Sequence, residues 1–399
     1  MEIPIVRPEL GEAEAQAVAE VVRSGWVAQG PEVAAFEREL ADAVGAPHAI
    51  AVASCTAALE LVLHALGISR GDDVVTVSHS FIATANAVVA VGARPIFVDI
   101  DPATYCLDAC RLESALTPKT RAVLCAHQLG FPCDLPAILD ITGRRQIPVV
   151  EDAACAIGSE IAITGKWQRI GRPHGVAACF SFHPRKLITT GDGGMVTTAD
   201  PALAKRLRLL RQHAMTVAST LRHESQRISF ESFVEPAYNF RMTDMQAAMA
   251  RPQLARLDRT IATRRRLAER YSAELASHPL LAPPKETDWM RTNYQSYPLR
   301  LRSEAETRTS QVKIMQHLLD RGVSSRRGVG NAHMEPAYTN LGWSCGAEPC
   351  DEALHRQGRC RRLPHSEKAR DSVVMIPLFH GMTEAEHGHV LAALKSLRP

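Results

Sequence analysis

Ala178-Cys179-Phe180-Ser181-Phe182-His183-Pro184-Arg185-Lys186, followed by Gly191-Asp192-Gly193-Gly194, is the stretch from which the rest of the chain is read. Its first residues form a short apolar run of the kind that makes a buried strand. The run stops at Pro184, which has no N–H to give to a sheet ladder. Lys186 is thereby held at the end of a rigid element, where burial or cationic neighbours lower an amine's pKa. An amine so placed can act as a nucleophile and form a Schiff base. The glycines behind it let the backbone turn and approach a ligand. Alone, Lys186 reads as a surface lysine after a strand; Asp152 changes that reading.

Asp152 closes a second apolar run, Ile147-Pro148-Val149-Val150-Glu151-Asp152. Two valines followed by two carboxylates look like a parallel strand delivering charge at its C-terminal end, where open α/β sheets bind ligands. A buried carboxylate needs a cationic or donor partner. The protonated ring nitrogen of pyridoxal phosphate is such a partner. Asp152-Ala153-Ala154 reads equally well as the N-cap of a helix.

Further stretches fall in a fixed order around these two. They are Gly25-Trp26-Val27-Ala28-Gln29-Gly30-Pro31 with Phe36-Glu37, Ser54-Cys55-Thr56-Ala57-Ala58-Leu59, Ser80-Phe81-Ile82-Ala83-Thr84-Ala85-Asn86, Phe97-Val98-Asp99-Ile100, and Tyr238-Asn239-Phe240-Arg241-Met242. Together the chain resembles, over nearly its whole length, the DegT-like sugar aminotransferases, a branch of the fold-type I pyridoxal phosphate enzymes.

The 399 residues are 46% hydrophobic and 22% charged, which suits a folded protein of two or three domains' length. Forty-six Lys and Arg against 43 Asp and Glu leave no global field for nucleic acid or a membrane surface. The basic stretch Lys205-Arg206-Leu207-Arg208-Leu209-Leu210-Arg211 has leucines at helical spacing and reads as a solvated helix face. No leader-like start and no uncharged apolar run of membrane-spanning length are seen, so a cytoplasmic protein is expected. Ten cysteines in a chain this long, several inside apolar runs, read as reduced thiols rather than a disulfide framework.

Periodicity predicts helices over 8–23 and 31–44 and a strand over 48–53 that runs into a helix capped by Ser54-Cys55-Thr56. A helix start of this kind is an anion site or an ordinary N-cap. Strands at 74–77, 95–98, 122–126 and 148–150 then alternate with helices near 82–91, 109–116 and 134–144. That alternation predicts a mostly parallel sheet covered on both faces. Residues 213–236 are polar and irregular and read as a long functional loop. A long helical pattern over 243–277 is expected to break at Arg251-Pro252. The passage to a smaller domain falls at Pro279-Leu280-Leu281-Ala282-Pro283-Pro284, with strands near 294–302 and 372–376 and helices near 306–320 and 383–396.

The resemblance implies an α/β fold. A large domain, residues 1–250, would hold a mostly parallel seven-stranded-type sheet between helices, and residues 251–399 would form a smaller α+β domain. It implies a pyridoxal phosphate-dependent aminotransferase in which Lys186 carries the cofactor and Asp152 meets the ring nitrogen. Cys55, Thr56 and Ser181 would hold the phosphate, with Cys55 standing where the family usually has glycine. Phe81 would stack on the ring. Cys155 stands where the family often has glutamine or histidine, and is a neighbour of the ring. Asn239 would reach the neighbouring subunit's phosphate in a homodimer with shared sites. Arg327, His333 and Tyr338 fall where the family reads its substrate. The partners implied are a small-molecule amino donor, glutamate or glutamine, and a keto acceptor, most often a nucleotide-linked keto sugar. A keto cyclitol or non-sugar ketone, a dehydratase of the same fold and a non-catalytic regulatory homologue are the rival readings, and Lys186 argues against the dehydratase.

Cys345, Cys350, His355, Cys360 and His365 stand five apart. They are soft ligand types suited to zinc, but the spacing is unlike the usual close cysteine pairs, and no metal is assigned.

Overall fold

The computed structural model describes residues 1–216, 230–305, 309–346 and 350–398. In chain order the strands of its larger lobe are β1 (His48–Val52), β2 (Asp73–Val77), β3 (Arg94–Val98), β4 (Thr120–Ala126), β5 (Val149–Asp152), β6 (Glu160–Ile163), β7 (Lys166–Arg169), β8 (Ala177–Ser181) and β9 (Gly194–Thr198). Its helices are α1 (Glu12–Ser24), α2 (Pro31–Val44), α3 (Cys55–Ala65), α4 (Ala83–Ala90), α5 (Ala109–Ala115), α6 (Leu135–Gly143), α7 (Pro201–Leu210), α8 (Asp244–Ala255) and α9 (Leu257–Leu275).

Seven strands make one sheet in the order β1-β9-β8-β5-β4-β2-β3. The pairings β3–β2, β2–β4, β4–β5 and β5–β8 are parallel, and β9 runs antiparallel to β8 and β1. The strands are apolar on both sides because both faces are covered. On β2, Val75 and Val77 belong to the core that also holds Phe36 and Leu40 of α2, while Val74, facing the other way, belongs to the core that holds Leu59 and Val62 of α3. Each such buried side chain contributes roughly 1.5–3 kcal/mol. Parallel strands end together, so β4, β5 and β8 present their C-terminal residues along one edge.

The break expected at Arg251-Pro252 lies elsewhere. Pro252 sits inside α8, and the chain turns at Arg256 (φ −104°, ψ 11°). Packing outweighs the lost backbone hydrogen bond. Arg251 is clamped to Glu32 and Glu39 of α2, and Gln253 Nε2 donates to Met249 O and to Thr189 O, each at 2.8 Å.

The smaller lobe has β10 (Leu281–Ala282), β12 (Tyr297–Leu301), β14 (Val373–Ile376) and β13 (Arg326–Arg327) in one antiparallel sheet, in that order. Around it lie α10 (Gln311–Leu319), α11 (Pro336–Thr339), α12 (Glu352–Arg356), α13 (Pro364–Ser372) and α14 (Glu384–Lys395). A further strand, β11 (Met290–Arg291), pairs with β6 of the large lobe. The two cores divide inside α9. Leu257 and Ile261 join the large core, whereas Leu267, Tyr271 and Leu275 join the small one, as does Ile3 from the N-terminal segment. Buried Arg264 ties the lobes' junction by donating to the carbonyls of Tyr294, Gln295 and Leu378.

Most of the loop read at 213–236 lies outside the described residues. Its flanks meet, with Thr216 N donating to Ser232 O at 2.9 Å. Among the described residues no helix is long and apolar enough to cross a membrane.

Candidate active site

A cavity of about 900 Å³ opens where the sheet edge faces the small lobe. Its walls come from the ends of β5 and β8, the start of α3, the segment 80–84 and residues 326–332 and 335–337. Lys186, Asp152, Cys155, Ser181, Cys55, Thr56, Phe81 and Arg327 all line it.

Lys186 follows β8 in a tight turn in which its own N–H donates to His183 O at 2.8 Å. Its Nζ lies 3.0 Å from Cys155 Sγ. Burial pulls the amine's pKa down, but Cys155, Asp152 and Cys55 together outweigh it, and the net direction is up. The sequence reading expected a lowered value; the neighbours here are acids rather than cations, and that reverses the sign.

Asp152 is the last residue of β5 and only 8% exposed. Its Oδ2 accepts from Thr84 Oγ1 at 2.7 Å and its Oδ1 from Ala154 N at 3.1 Å. Ser80 Oγ lies 2.7 Å from the same threonine hydroxyl. Two donors leave lone pairs for a cation in the cavity. Strand alternation sends Glu151 to the other side. There it accepts from His127 Nε2 at 3.0 Å and Gly175 N at 2.8 Å. Cys133 N donates to His127 Nδ1, so the proton of this buried imidazole sits on Nε2. His127 N in turn donates to Asp152 O at 3.0 Å, which fixes the strand end that carries Asp152.

At the start of α3, Ser54 caps by accepting from Ala57 N at 3.1 Å. Cys55 turns its thiol into the sheet toward Cys179 O, at 3.5 Å, and burial with the nearby Asp152 pushes its pKa well up. A neutral thiol facing inward leaves the backbone of Cys55 and Thr56 to the cavity, with the hydroxyls of Thr56 and Ser181 beside it. Gly194 makes this approach possible. A Cβ there would stand 2.5 Å from Ser54 C and O.

The structure separates the other expected residues. Phe81 is 72% exposed at the cavity rim. His333 does not line the cavity. It is fully buried, with Ser78 Oγ at 2.6 Å from Nδ1 and Glu367 Oε1 at 3.4 Å from Nε2. Tyr338 is also a core residue, donating to Asn86 Oδ1 at 2.8 Å. Both were expected at the substrate. Of the 3₁₀ turn Ala332–Met334, only Ala332 lines the cavity, beside Asn331, while the His333 ring is turned inward. Asn239 is exposed and outside the cavity of its own chain. Its neighbours Tyr238 and Phe240 stack on each other at 4.4 Å, and Phe240 O accepts from Ala53 N just before the α3 turn.

Sequence reasoning missed Thr84, the His127–Glu151 pair and two further cations. Thr84 lay within the quoted stretch Ser80–Asn86, and asking what orients Asp152 would have found it. Arg185 and Arg326 line the cavity together with Arg327. Burial and the charge of Arg326 both push the Arg185 guanidinium down, which marks the two as close neighbours.

This donor set fits pyridoxal phosphate. A helix start with backbone N–H groups and hydroxyls suits a phosphate. An acceptor-only carboxylate held by Thr84 suits a protonated ring nitrogen, and a lysine amine lies between them.

Outside this cavity the structure brings four of the five residues spaced by five into one group. Cys345 Sγ, Cys350 Sγ, a ring nitrogen of His355 and Cys360 Sγ all lie within 4.8 Å of one another.

The sequence profile of the DegT/DnrJ/EryC1/StrS aminotransferase family matches residues 8–395. The spore coat polysaccharide biosynthesis protein SpsC of Bacillus subtilis (strain 168) is 35% identical over 397 residues, 99% of this chain and 97% of that one. Among solved structures, the aminotransferase TlmJ from Streptoalloteichus hindustanus is 32% identical with a TM-score of 0.85, covering 99% of this chain and 98% of TlmJ. Spr1654 from Streptococcus pneumoniae, solved in its pyridoxal phosphate form, is 26% identical with a TM-score of 0.87 over the same shares.

Proposed function

The chain belongs to the DegT/DnrJ/EryC1/StrS aminotransferase family and is a pyridoxal phosphate-dependent transaminase, and from this premise we propose that it moves the amino group of glutamate or glutamine to the keto group of a nucleotide-linked keto sugar. One observation carries the substrate class. Arg185, Arg326 and Arg327 line the same cavity as Lys186. Guanidinium groups grip carboxylates and phosphates in two-pronged fashion. A donor carboxylate and a nucleotide's phosphates are the anions that such a mouth would hold. The relative SpsC is named for polysaccharide biosynthesis, which agrees with a sugar acceptor.

When bound, the cofactor supplies an electron sink for the bond broken at the donor α-carbon. The protein's residues supply the rest. Asp152 holds a proton on the ring nitrogen, and Thr84 and Ala154 N keep its carboxylate oriented. Lys186 Nζ, as a free amine, would carry the proton taken from the donor's α-carbon. The α3 start, Thr56 and Ser181 hold the phosphate. Phe81, at the cavity rim, would stack on the ring.

The same reading includes a homodimer with shared sites. It is supported by Asn239 standing exposed beside the α3 turn, and by the exposed apolar side chains Phe81, Phe233 and Val234 in a single chain. A panel of nucleotide keto sugars, keto cyclitols and simple ketones, offered with glutamate or glutamine and followed by product mass, tests the acceptor. Amination of a nucleotide keto sugar alone is expected; a preference for a ketone without phosphate overturns the substrate class.

A further inference from the structure

We propose that Cys345, Cys350, His355 and Cys360 bind one zinc ion, and that the ion fastens residues 341–346 and 350–363 against the small-lobe wall of the active-site cavity. The four ligand atoms lie within 4.8 Å of one another, and two of the pairs stand close to the spacing of a single tetrahedral ion. Cys350 Sγ and Cys360 Sγ stand 3.8 Å apart, and Cys345 Sγ and His355 Nε2 stand 3.9 Å apart. Zinc bound at about 2.3 Å by sulfur and about 2.0 Å by nitrogen holds its ligand atoms roughly 3.5–3.8 Å from one another. A disulfide needs about 2.05 Å, and all ten cysteines are free.

The chemistry narrows the ion. Three thiolates and one imidazole are soft donors, which select zinc over magnesium or calcium. Four protein ligands close the coordination sphere, so the site holds structure and leaves no position for a substrate. Binding breaks three S–H bonds, releases three protons to solvent and leaves the oxidation state of every atom unchanged. His365, the fifth residue of the run, is outside the group; its N–H donates to Asp99 Oδ2 at 3.0 Å.

The segment needs such a staple. Among its described residues the buried apolar side chains are Trp343, Cys345, Cys360 and Leu363, in a small cluster with Phe97. Short units with so little core are commonly held by a metal or a disulfide. The ligands are already placed by the fold. Ser344 joins the edge of β3, with Phe97 N donating to Ser344 O at 2.7 Å. The ring of His355 on α12 stacks on Trp343 at 3.9 Å. Cys360 N donates to Glu367 Oε1 at 2.7 Å, and the same oxygen faces His333. His333 N and Ala332 N both bond to Ser78, at the end of β2. Residues 330–332 and 335–337, adjoining this network, line the cavity.

The test uses the purified full chain with its cofactor. Elemental analysis should find close to one zinc per chain. The Cys350→Ser, Cys360→Ser double variant should lose it, while Cys110→Ser, at an exposed cysteine outside the group, keeps it. Because the double variant could fail to fold, the parent protein is also stripped of metal under reducing conditions and titrated with cobalt(II). The bands of tetrahedral cobalt with thiolate charge transfer should appear and saturate at one ion per chain. Amide exchange in 330–337 should quicken in the stripped protein and recover when zinc is returned. Zinc far below one per chain together with no such cobalt bands would overturn the site. So would zinc retained by a folded double variant, or a Cys350–Cys360 disulfide found by mass under non-reducing conditions. Exchange in 330–337 that ignores the metal would overturn the bracing role.

Discussion

Asp152 and Lys186 face one cavity because parallel strands β5 and β8 end beside each other, Asp152 lying opposite Cys179 in the ladder, and the roles proposed for them are tested residue by residue. Lys186→Ala is expected to abolish transamination and to leave no cofactor that borohydride can fix to the chain; mass of the reduced protein decides it. Asp152→Asn keeps shape and loses the charge that holds the ring proton. In a closed site that costs several kcal/mol, so kcat should fall by orders of magnitude. A variant within about threefold of the parent, under 1 kcal/mol, would contradict the role. Thr84 is a positioning residue. Removing a hydrogen bond to a charged group costs about 1.5–3 kcal/mol, so Thr84→Val should lower kcat by roughly ten- to a hundredfold and shift the pH at which the bound cofactor's absorbance titrates. Thr84→Ser should restore both. That Lys186 and Asp152 face one cavity was legible in the sequence, because Asp152 closes one apolar run and Lys186 follows shortly after another. His333 and Tyr338 were not, since order along the chain says which residues stand near the substrate wall but not which way a 3₁₀ turn points its rings.

The start of α3 is a cradle only because β9 approaches it without a side chain at Gly194. Gly194→Ala is expected to push the Ser54–Thr56 turn outward and weaken cofactor retention, read as a raised dissociation constant with helix content unchanged. The loop before α4 carries a second, pH-dependent contribution. His79 is buried, its Nδ1 2.9 Å from Asn331 Oδ1, and burial pushes its pKa down to about 4. Unfolded, it would titrate near 6.5. Between those values the unfolded chain takes up a proton that the folded chain refuses, so stability is lost as pH falls from about 6.5 toward 4. The parent's Tm should drop across this window more steeply than that of His79→Gln; equal slopes would place the loss elsewhere. Element positions were readable from periodicity, because strands covered on both faces are apolar runs. The turn at Arg256 was not, because the clamp of Arg251 on Glu32 and Glu39 joins residues far apart in sequence and outweighs the local preference of Pro252. The Cys345–Cys360 residues were visible in the sequence as soft donors, but their convergence was not, for a like reason. Their spacing fits no short knuckle, and only the bridge at Ser344 and the single-turn helix α12 bring the ligands together.

At the scale of the whole molecule, the fold follows from the alternation of strands and helices, whereas assembly depends on what a second chain would cover. The proposed reach of Asn239 into the neighbour's site predicts that two inactive variants rescue each other. Mixing Lys186→Ala with Asn239→Asp gives heterodimers in which one site carries both defects and the other neither. At equal mixing about half the dimers are mixed, so roughly a quarter of the sites should recover. No recovery, with mixed dimers verified by native mass, would place Asn239 outside the neighbour's site. The central claim, that this chain transfers an amino group to a nucleotide keto sugar at Lys186, meets its most direct test in a single labelled turnover. Glutamate or glutamine carrying heavy nitrogen on its α-amino group is incubated with the holoenzyme and a set of nucleotide keto sugars. A nucleotide amino sugar carrying the heavy nitrogen, formed by the parent and not by Lys186→Ala, is the expected result. A product without the label, or the labelled product formed equally by Lys186→Ala, would contradict it.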